Sequence, residues 1–536
     1  MALAAAVFTA AILGWREFFF LCDDAFIAFR YVSNAMSGYG LVWNPPPFAP
    51  VEGYTSWLWV TLLRITWELT GVEPPVASNY LSLAFGIGTL ALGFRFLLRM
   101  RLSESLDRLR PALLGLAMLG TLTNRTFLAW LSSGLETALF NFCFTWWVFQ
   151  ALAPMARRGP FWAALLSTSA LLTALTRPDG MLLVPATILL LLADFRERPI
   201  RLRWPARRSL GAVPLIGVAA HMIWRRFTYG DWLPNTYYAK YSGAWPESGA
   251  RYALSFVLEY GLWVWLVLAA IWLVRKHAVP LRVAIAVGAL GVHVAFYTIM
   301  IGGDHFEYRV YSHLILLLFI SFVWFVSSLD LKPVLAVSLM TLFVAGSWPI
   351  PWVHHFDTRN LVTREETYEM FRPVAGKFPP GLRAYAEIFD RQQAWLIRHY
   401  VCNRHQEHKI LAEFLNNIMK REVEPRFRWE GRAVLAQGSV GVVGWVLPNV
   451  AIIDTFGLND YVVARHPRAE TEERVMAHDR EPPPDYVECF RPNVVFRVGA
   501  QSAAFVSEPR EIPLTDEAIR RCEARFRASG RPKTKN

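Results

Sequence analysis

Charge is scarce in this chain. Asp, Glu, Lys and Arg make up 18% of its 536 residues and hydrophobic residues 54%, which excludes a string of soluble domains and points to an integral membrane protein. Cysteine is scarcer still. With 5 in the whole chain, a disulfide framework is excluded, and Cys402, Cys489 and Cys522 allow at most one bridge in the C-terminal part. The N-terminus lacks a basic n-region and a small-residue cleavage pattern, so its first apolar run reads as a retained anchor rather than a removed signal peptide. The Arg16–Glu17 pair that ends this run has to sit at the outer interface or find partners.

What the chain does have is apolar runs, recurring from the N-terminus to Trp348 and then ceasing. About eleven spans are expected, at 3–21, 76–98, 111–124, 135–153, 161–176, 178–194, 209–226, 253–274, 279–301, 309–328 and 331–348. Residues 1–348 are then a membrane domain whose first outer loop is 22–75, and residues 349–536 a soluble one. The net charge of +12 collects in loops on one side, at Arg99 to Arg110, Arg157 and Arg158, Arg196 to Arg208, and Arg275 to Arg282. The positive-inside rule makes that side cytoplasmic, so the basic excess is a topology signal and nucleic acid is excluded as a partner. An odd number of spans puts the C-terminal domain outside the cytoplasmic (inner) membrane of a bacterium.

The polar segments gather on the opposite, outer face: "CDDAF", "VEGYTSWLW", "SSGLETALF", "RPDG", "YGDWLPNTYYAK" and "GGDHFEYRVY". Residues 24–38 and 56–69 have helical apolar periodicity and read as helices lying in the outer interface. Asp24 stands where it would cap the first of these, which leaves Asp23 at the membrane surface, where desolvation would raise its pKa and suit it to general-base work. Glu52, Tyr54, Glu136, Asn235 and Asp304 are the other candidates for substrate contact. Arg177, Lys240, His305 and Arg309 are cations suited to a lipid-linked phosphate. The exported domain mixes a helix at 405–420 with expected strands at 433–436, 440–446, 449–454 and 493–498, as an α/β or α+β module requires. Its His399–His408 group and His354-His355 lack metal spacing and read as solvated surface.

At these motifs the sequence resembles the polytopic GT-C glycosyltransferases, most closely the terminal arabinofuranosyltransferase family of mycobacteria. The matching positions are Asp23-Asp24, Val51–Ser56 (V-E-x-x-T-S), Ser133–Glu136 (S-G-L-E), Arg177–Asp179, Pro234–Lys240 (P-N-T-x-x-A-K) and Gly302–Arg309 (G-G-D-x-x-x-x-R). In the exported domain the match is "GSVGVVGWVLPNVAIIDTFGLNDYVVAR", so the likeness runs over most of the chain. One position departs: relatives often place Pro four residues after the motif Arg, and here His313 stands there. The resemblance implies an inverting transferase, with Asp23 as base, that moves a sugar such as arabinofuranose from a polyprenyl-phosphate donor to a glycan, lipid or protein acceptor. No cofactor is obligatory, since phosphate is a good leaving group; a divalent cation beside Asp23 and Asp24 is compatible with the pair. The rival reading is a transporter or flippase of lipid-linked sugars, which predicts deep ionisable residues and repeated halves.

Overall fold

The computed structural model describes residues 2–154, 158, 161–197, 210–241, 243–275, 279–418, 421, 432–468, 473–498 and 503–529. Arg157, Lys276 and most of the arginine-rich 196–208 loop lie outside these. Each of the eleven expected apolar ranges is occupied by helix. Among the described residues, five helices are on their own long and apolar enough to cross a membrane: α4 (Pro74–Arg99), Pro178–Arg196, Leu281–Ile301, Arg309–Ser328 and Pro333–Thr358. The range expected to be one span at 253–274 is instead two helices, Pro246–Glu259 and Trp263–Arg275, bent by 98° at Tyr260–Leu262. Gly261, at φ 58°, turns the chain there, with its Cβ position 3.0 Å from the Gly346 carbonyl oxygen.

Helix α1 (Ala2–Glu17) precedes the two helices of the 22–75 segment, α2 (Asp23–Met36) and α3 (Trp57–Thr70). Both form where periodicity expects them, but only α3 keeps an open face, with Leu69 79% exposed. Twelve of the fourteen residues of α2 are buried. It is therefore not a surface helix: its Ala25, Phe29 and Val32 share one core with Val440, Val442, Trp445 and Ile452 of the exported domain. Asp24 does not cap it either. Cys22 occupies the cap position without a side-chain bond, and both acids lie in the first turn, where the helix dipole favours them.

In the C-terminal domain β1 (Val434–Gln437) pairs in parallel with β2 (Ala451–Asp454), and β3 (Val494–Val498) antiparallel with β4 (Ala503–Ser507). The run 440–446, expected as a strand, is a fully buried helix, Gly441–Val446. Continuous apolarity without alternation does not separate the two in so short a segment, and the choice falls to packing against α2. Cys489 and Cys522 are bridged, with Cα atoms 5.9 Å apart, and Cys402 is a buried thiol. The histidines expected at the surface are buried: His354, His355, His399, His405 and His408 are each 7% exposed or less. They pack as flat rings, His399 on Trp395 at 3.8 Å and His408 on Phe306 at 4.3 Å.

Candidate active site

The chain before the acid pair is tied to the S-G-L-E segment. Cys22 N donates to the Ser133 carbonyl at 3.1 Å and Ser133 N to that of Phe20 at 3.0 Å, with Ser133 and Gly134 both at φ 78°. Asn79 of α4 locks this joint, donating to Phe20 O and accepting from Gly134 N. Helix α2 thus starts from a fixed point, which aims Asp23 at the exported domain.

Asp23 accepts from Gly441 N at 3.1 Å and Val442 N at 2.7 Å, one amide on each carboxylate oxygen. Burial raises its pKa from 3.8 to about 6, against the two amides and with help from the Asp24 charge. No side chain fits at Gly441, since a Cβ there would lie 1.8 Å from the Asp23 carbonyl oxygen. Two turns on, the buried Arg30 guanidinium gives hydrogen bonds to the carbonyls of Trp43, Gly444, Leu447 and Val450 at 2.7–3.1 Å. The exported Gly441–Val446 helix is therefore held to α2 at both ends.

Asp24 is half-buried, makes no hydrogen bond among the described residues, and its charge acts on His305 and His478, as does that of Lys240. His305 is held neutral, its pKa lowered to about 3 by burial and by His478, while its Nδ1 lies 2.8 Å from the Tyr400 carbonyl. Lys240 ends the Asn235–Lys240 helix and has no carboxylate within salt-bridge reach among the described residues. The other expected phosphate cations are neutralised by protein groups. Arg177 pairs with Asp179 at 3.1 Å and Glu136 at 3.4 Å, and Arg309 with Asp304 at 2.9 Å.

The Gly302–Arg309 loop is aligned by the C-terminal domain. Gly302 and Gly303, at φ 91° and 106°, turn it under Trp245 and Tyr252. Asp304 and His305 then accept from the amides of Cys402 and Asn403, both at 2.9 Å, and Glu307 N donates back to Asn403 O at 3.0 Å. The Glu307 carboxylate joins Arg125 at 2.9 Å and Arg404 at 3.0 Å, and Arg404 also binds Glu259. These two cations hold the Glu307 carboxyl well below its usual range despite burial. At the position where relatives often have Pro, His313 is 2% exposed and packs 4.6 Å from His293 and 4.4 Å from Phe144.

Glu52, Tyr54 and Asn235 make their contacts with other groups than the acid pair, in a seam between the loops at 51–54 and 229–240 and the C-terminal domain. Glu52 binds Arg225 at 2.5 Å and has its pKa raised by burial to about 7. Tyr54 meets the Tyr229 hydroxyl at 3.1 Å. Asn235 donates to the carbonyls of Gly457, Leu458 and Asp460 and accepts from Arg465. No group of three or more His, Cys, Asp or Glu among the described residues is arranged to hold a metal ion. Each Asp23 oxygen accepts one amide and keeps a further lone pair, and Asp24 makes no hydrogen bond among the described residues, so both carboxylates retain acceptor capacity. Sequence reasoning missed His478, Glu307 and the Gly441–Val442 amides. An acid inside an otherwise aromatic G-G-D motif was the available signal for Glu307; for backbone amides there was none.

No protein-family model matches the chain. It is 28% identical over 272 residues to the "Terminal beta-(1->2)-arabinofuranosyltransferase" of Mycobacterium tuberculosis (strain ATCC 25618 / H37Rv), a match covering 48% of this chain and 42% of that protein. The likeness therefore covers about half of the chain rather than most of it, and less than half of the relative. Among solved structures, ArnT from Cupriavidus metallidurans bound to undecaprenyl phosphate superposes with a TM-score of 0.53 at 12% identity, over 95% of this chain and 99% of that one. Arabinosyltransferase EmbB from Mycobacterium smegmatis gives 0.37 at 12% identity, over 77% of this chain and 42% of that one. The chain is accordingly a multi-pass membrane protein with the GT-C fold and a C-terminal domain carrying small sheets, and in sequence it is arabinofuranosyltransferase-like.

Proposed function

We propose that the protein is a GT-C glycosyltransferase that moves a sugar, arabinofuranose by its sequence likeness, from a polyprenyl-phosphate donor to an acceptor hydroxyl at the outer face of the inner membrane. The observation that carries this reading is the Asp23 carboxylate, buried, oriented by the Gly441 and Val442 amides, and raised to about 6. An acid held in one orientation with a pKa just below neutrality is what a general base needs. Asp23 takes the proton of the acceptor hydroxyl, whose oxygen bonds to the anomeric carbon. The bond from that carbon to the phosphate oxygen breaks, and the phosphate leaves with the electron pair. Attack and departure on opposite faces invert the anomeric centre.

Lys240 is the cation available to the departing phosphate, and Arg309 follows it if Asp304 yields. The likeness to ArnT, solved with undecaprenyl phosphate, supports a polyprenyl-phosphate donor. The acceptor class is left open between glycan, lipid and protein.

Purified protein is expected to transfer label from a polyprenyl-phosphate arabinofuranose and to ignore water-soluble nucleotide sugars. Efficient transfer from a nucleotide sugar would defeat the lipid donor; transfer from a polyprenyl-phosphate hexose alone would defeat only the pentose. A flippase would move the lipid-linked sugar across vesicles without joining it to anything.

A further inference from the structure

Lys240, the cation available to the departing phosphate, stands at the end of a helix of only 6 residues, Asn235–Lys240, and is followed by the extended Tyr241. So short a helix fixes little by itself. The carbonyls of its last turn have no partner within it, and its end frays unless other groups take them. Here one side chain takes three. Arg480 of the C-terminal domain donates from Nη2 to the carbonyls of Tyr238 and Tyr241, both at 3.2 Å, and from Nε to that of Ala239 at 3.4 Å. Its Nη1 donates at 2.6 Å to the His466 carbonyl, which follows the Tyr461–Arg465 helix.

The carbonyls that Arg480 holds lie on both sides of Lys240 in the chain, and its charge meets the negative end of the helix dipole. All three guanidinium nitrogens donate to backbone, so this cation serves the helix end rather than a ligand. The start of the same helix is held separately, by the bonds of Asn235 to the Gly457–Asp460 turn and by Arg465. Of these contacts, those of Arg480 fall on the turn that carries Lys240. The Lys240 charge acts on His305 and on His478, and His478 belongs to the same stretch of chain as Arg480.

We propose that Arg480 is a positioning residue for the transfer: by holding the backbone on both sides of Lys240, it fixes where the Lys240 ammonium meets the donor phosphate. A Lys side chain is a flexible stem, so a fixed backbone is what limits the reach of its ammonium. The inference rests on the reading of Lys240 as the cation for that phosphate, and it makes the C-terminal domain the part that aims this cation.

The test is a double-variant cycle on the full chain in uncharged detergent, with undecaprenyl phosphate as the probe and its dissociation constant read for the wild type, R480Q, K240M and R480Q/K240M. R480Q is expected to bind the probe at least about fivefold more weakly than the wild type, the size of effect found between residues that act through one another. In the K240M background the same substitution is expected to change affinity by less than about twofold, because the group it positions is gone. A role confined to folding would weaken binding by the same factor with and without Lys240. Equal factors in the two backgrounds, or R480Q binding like the wild type while K240M does not, overturn the inference alone. No binding by the wild type, or K240M binding as tightly as the wild type, overturns the reading of Lys240 and the inference with it. Should R480Q unfold, the cycle is run with R480K, which keeps the charge but not the fork that spans the carbonyls, and whose loss has to vanish likewise in the K240M background.

Discussion

Asp23 and Asp24 are neighbours with opposite environments. Asp23 is buried and bonded to two amides, while Asp24 is half-buried and its charge, like that of Lys240, acts on His305 and His478. Asp23→Asn cannot take a proton and sets an amide group against two N–H donors, so turnover is expected to fall by at least ~100-fold with donor affinity retained. Asp24→Asn is expected to change donor affinity more than turnover, because it removes a negative charge that acts on the same histidines as Lys240. Transfer rates and donor affinities on the same purified variants decide this. Near-normal transfer by Asp23→Asn, or a dead Asp24→Asn, would move the base to Asp24.

The pH dependence of Asp23 has two readouts of opposite sign. As a base it works ionised, so turnover over KM should rise with pH through about 6 and then level. Its raised pKa means that the folded state binds the proton more tightly than the unfolded one. Its contribution to stability is therefore complete below the ordinary value of 3.8 and is lost as the pH rises through about 6. A pH–rate profile and a pH series of unfolding temperatures, each compared with Asp23→Asn, should show the two trends vanish together. At Lys240, Lys240→Met should weaken donor binding with a smaller effect on folding, since no described residue pairs with it.

Among elements, the decisive contact is between α2 and the exported Gly441–Val446 helix. Gly441 admits no Cβ without backbone movement, because the Asp23 carbonyl lies 1.8 Å from where it would stand. Gly441→Ala should separate the two helices, lose the amides that hold Asp23, and lower both turnover and the resistance of the exported domain to protease. Arg30→Met tests the same joint from its other end. It leaves the Gly444 and Val450 carbonyls without a donor, at about 1–3 kcal/mol for each that finds no water, while those of Trp43 and Leu447 keep Asn34 Nδ2 and Val450 N. If Gly441→Ala leaves turnover and proteolysis unchanged, the joint does not orient the base.

At the scale of the whole molecule, the C-terminal domain contacts each part of the proposed site. Its Cys402–Arg404 segment aligns the Gly302–Arg309 loop, its Gly441–Val446 helix orients Asp23, and its Gly457–Asp460 turn receives Asn235. The outer-face reading therefore requires Asn536 to be outside the cytoplasm. A reporter active only in the cytoplasm, fused after Asn536, should stay silent. Activity there would mean an odd error in the span count and would dissolve the outer-face site, a real exposure given the 98° bend at Tyr260–Leu262.

By itself the sequence determined the elements whose periodicity repeats over many residues. The apolar ranges are helices, α2 and α3 fall where their patterns place them, and β1 to β3 follow the apolar runs of the exported domain, because local burial requirements are written into spacing. It also brought the acid pair to notice, since two carboxylates after an apolar run are conspicuous. Only tertiary structure decided which of the two is held and by what. The donors to Asp23 are backbone amides some 420 positions away, and an amide has no residue type to read. The same holds for Arg177 and Arg309, which as isolated letters are free cations and in the fold are matched by Asp179, Glu136 and Asp304. It holds too for the histidines, whose burial depends on aromatic neighbours from other segments. Charge pairing and burial are properties of what lies across the interface, and a one-dimensional pattern carries only what lies along the chain.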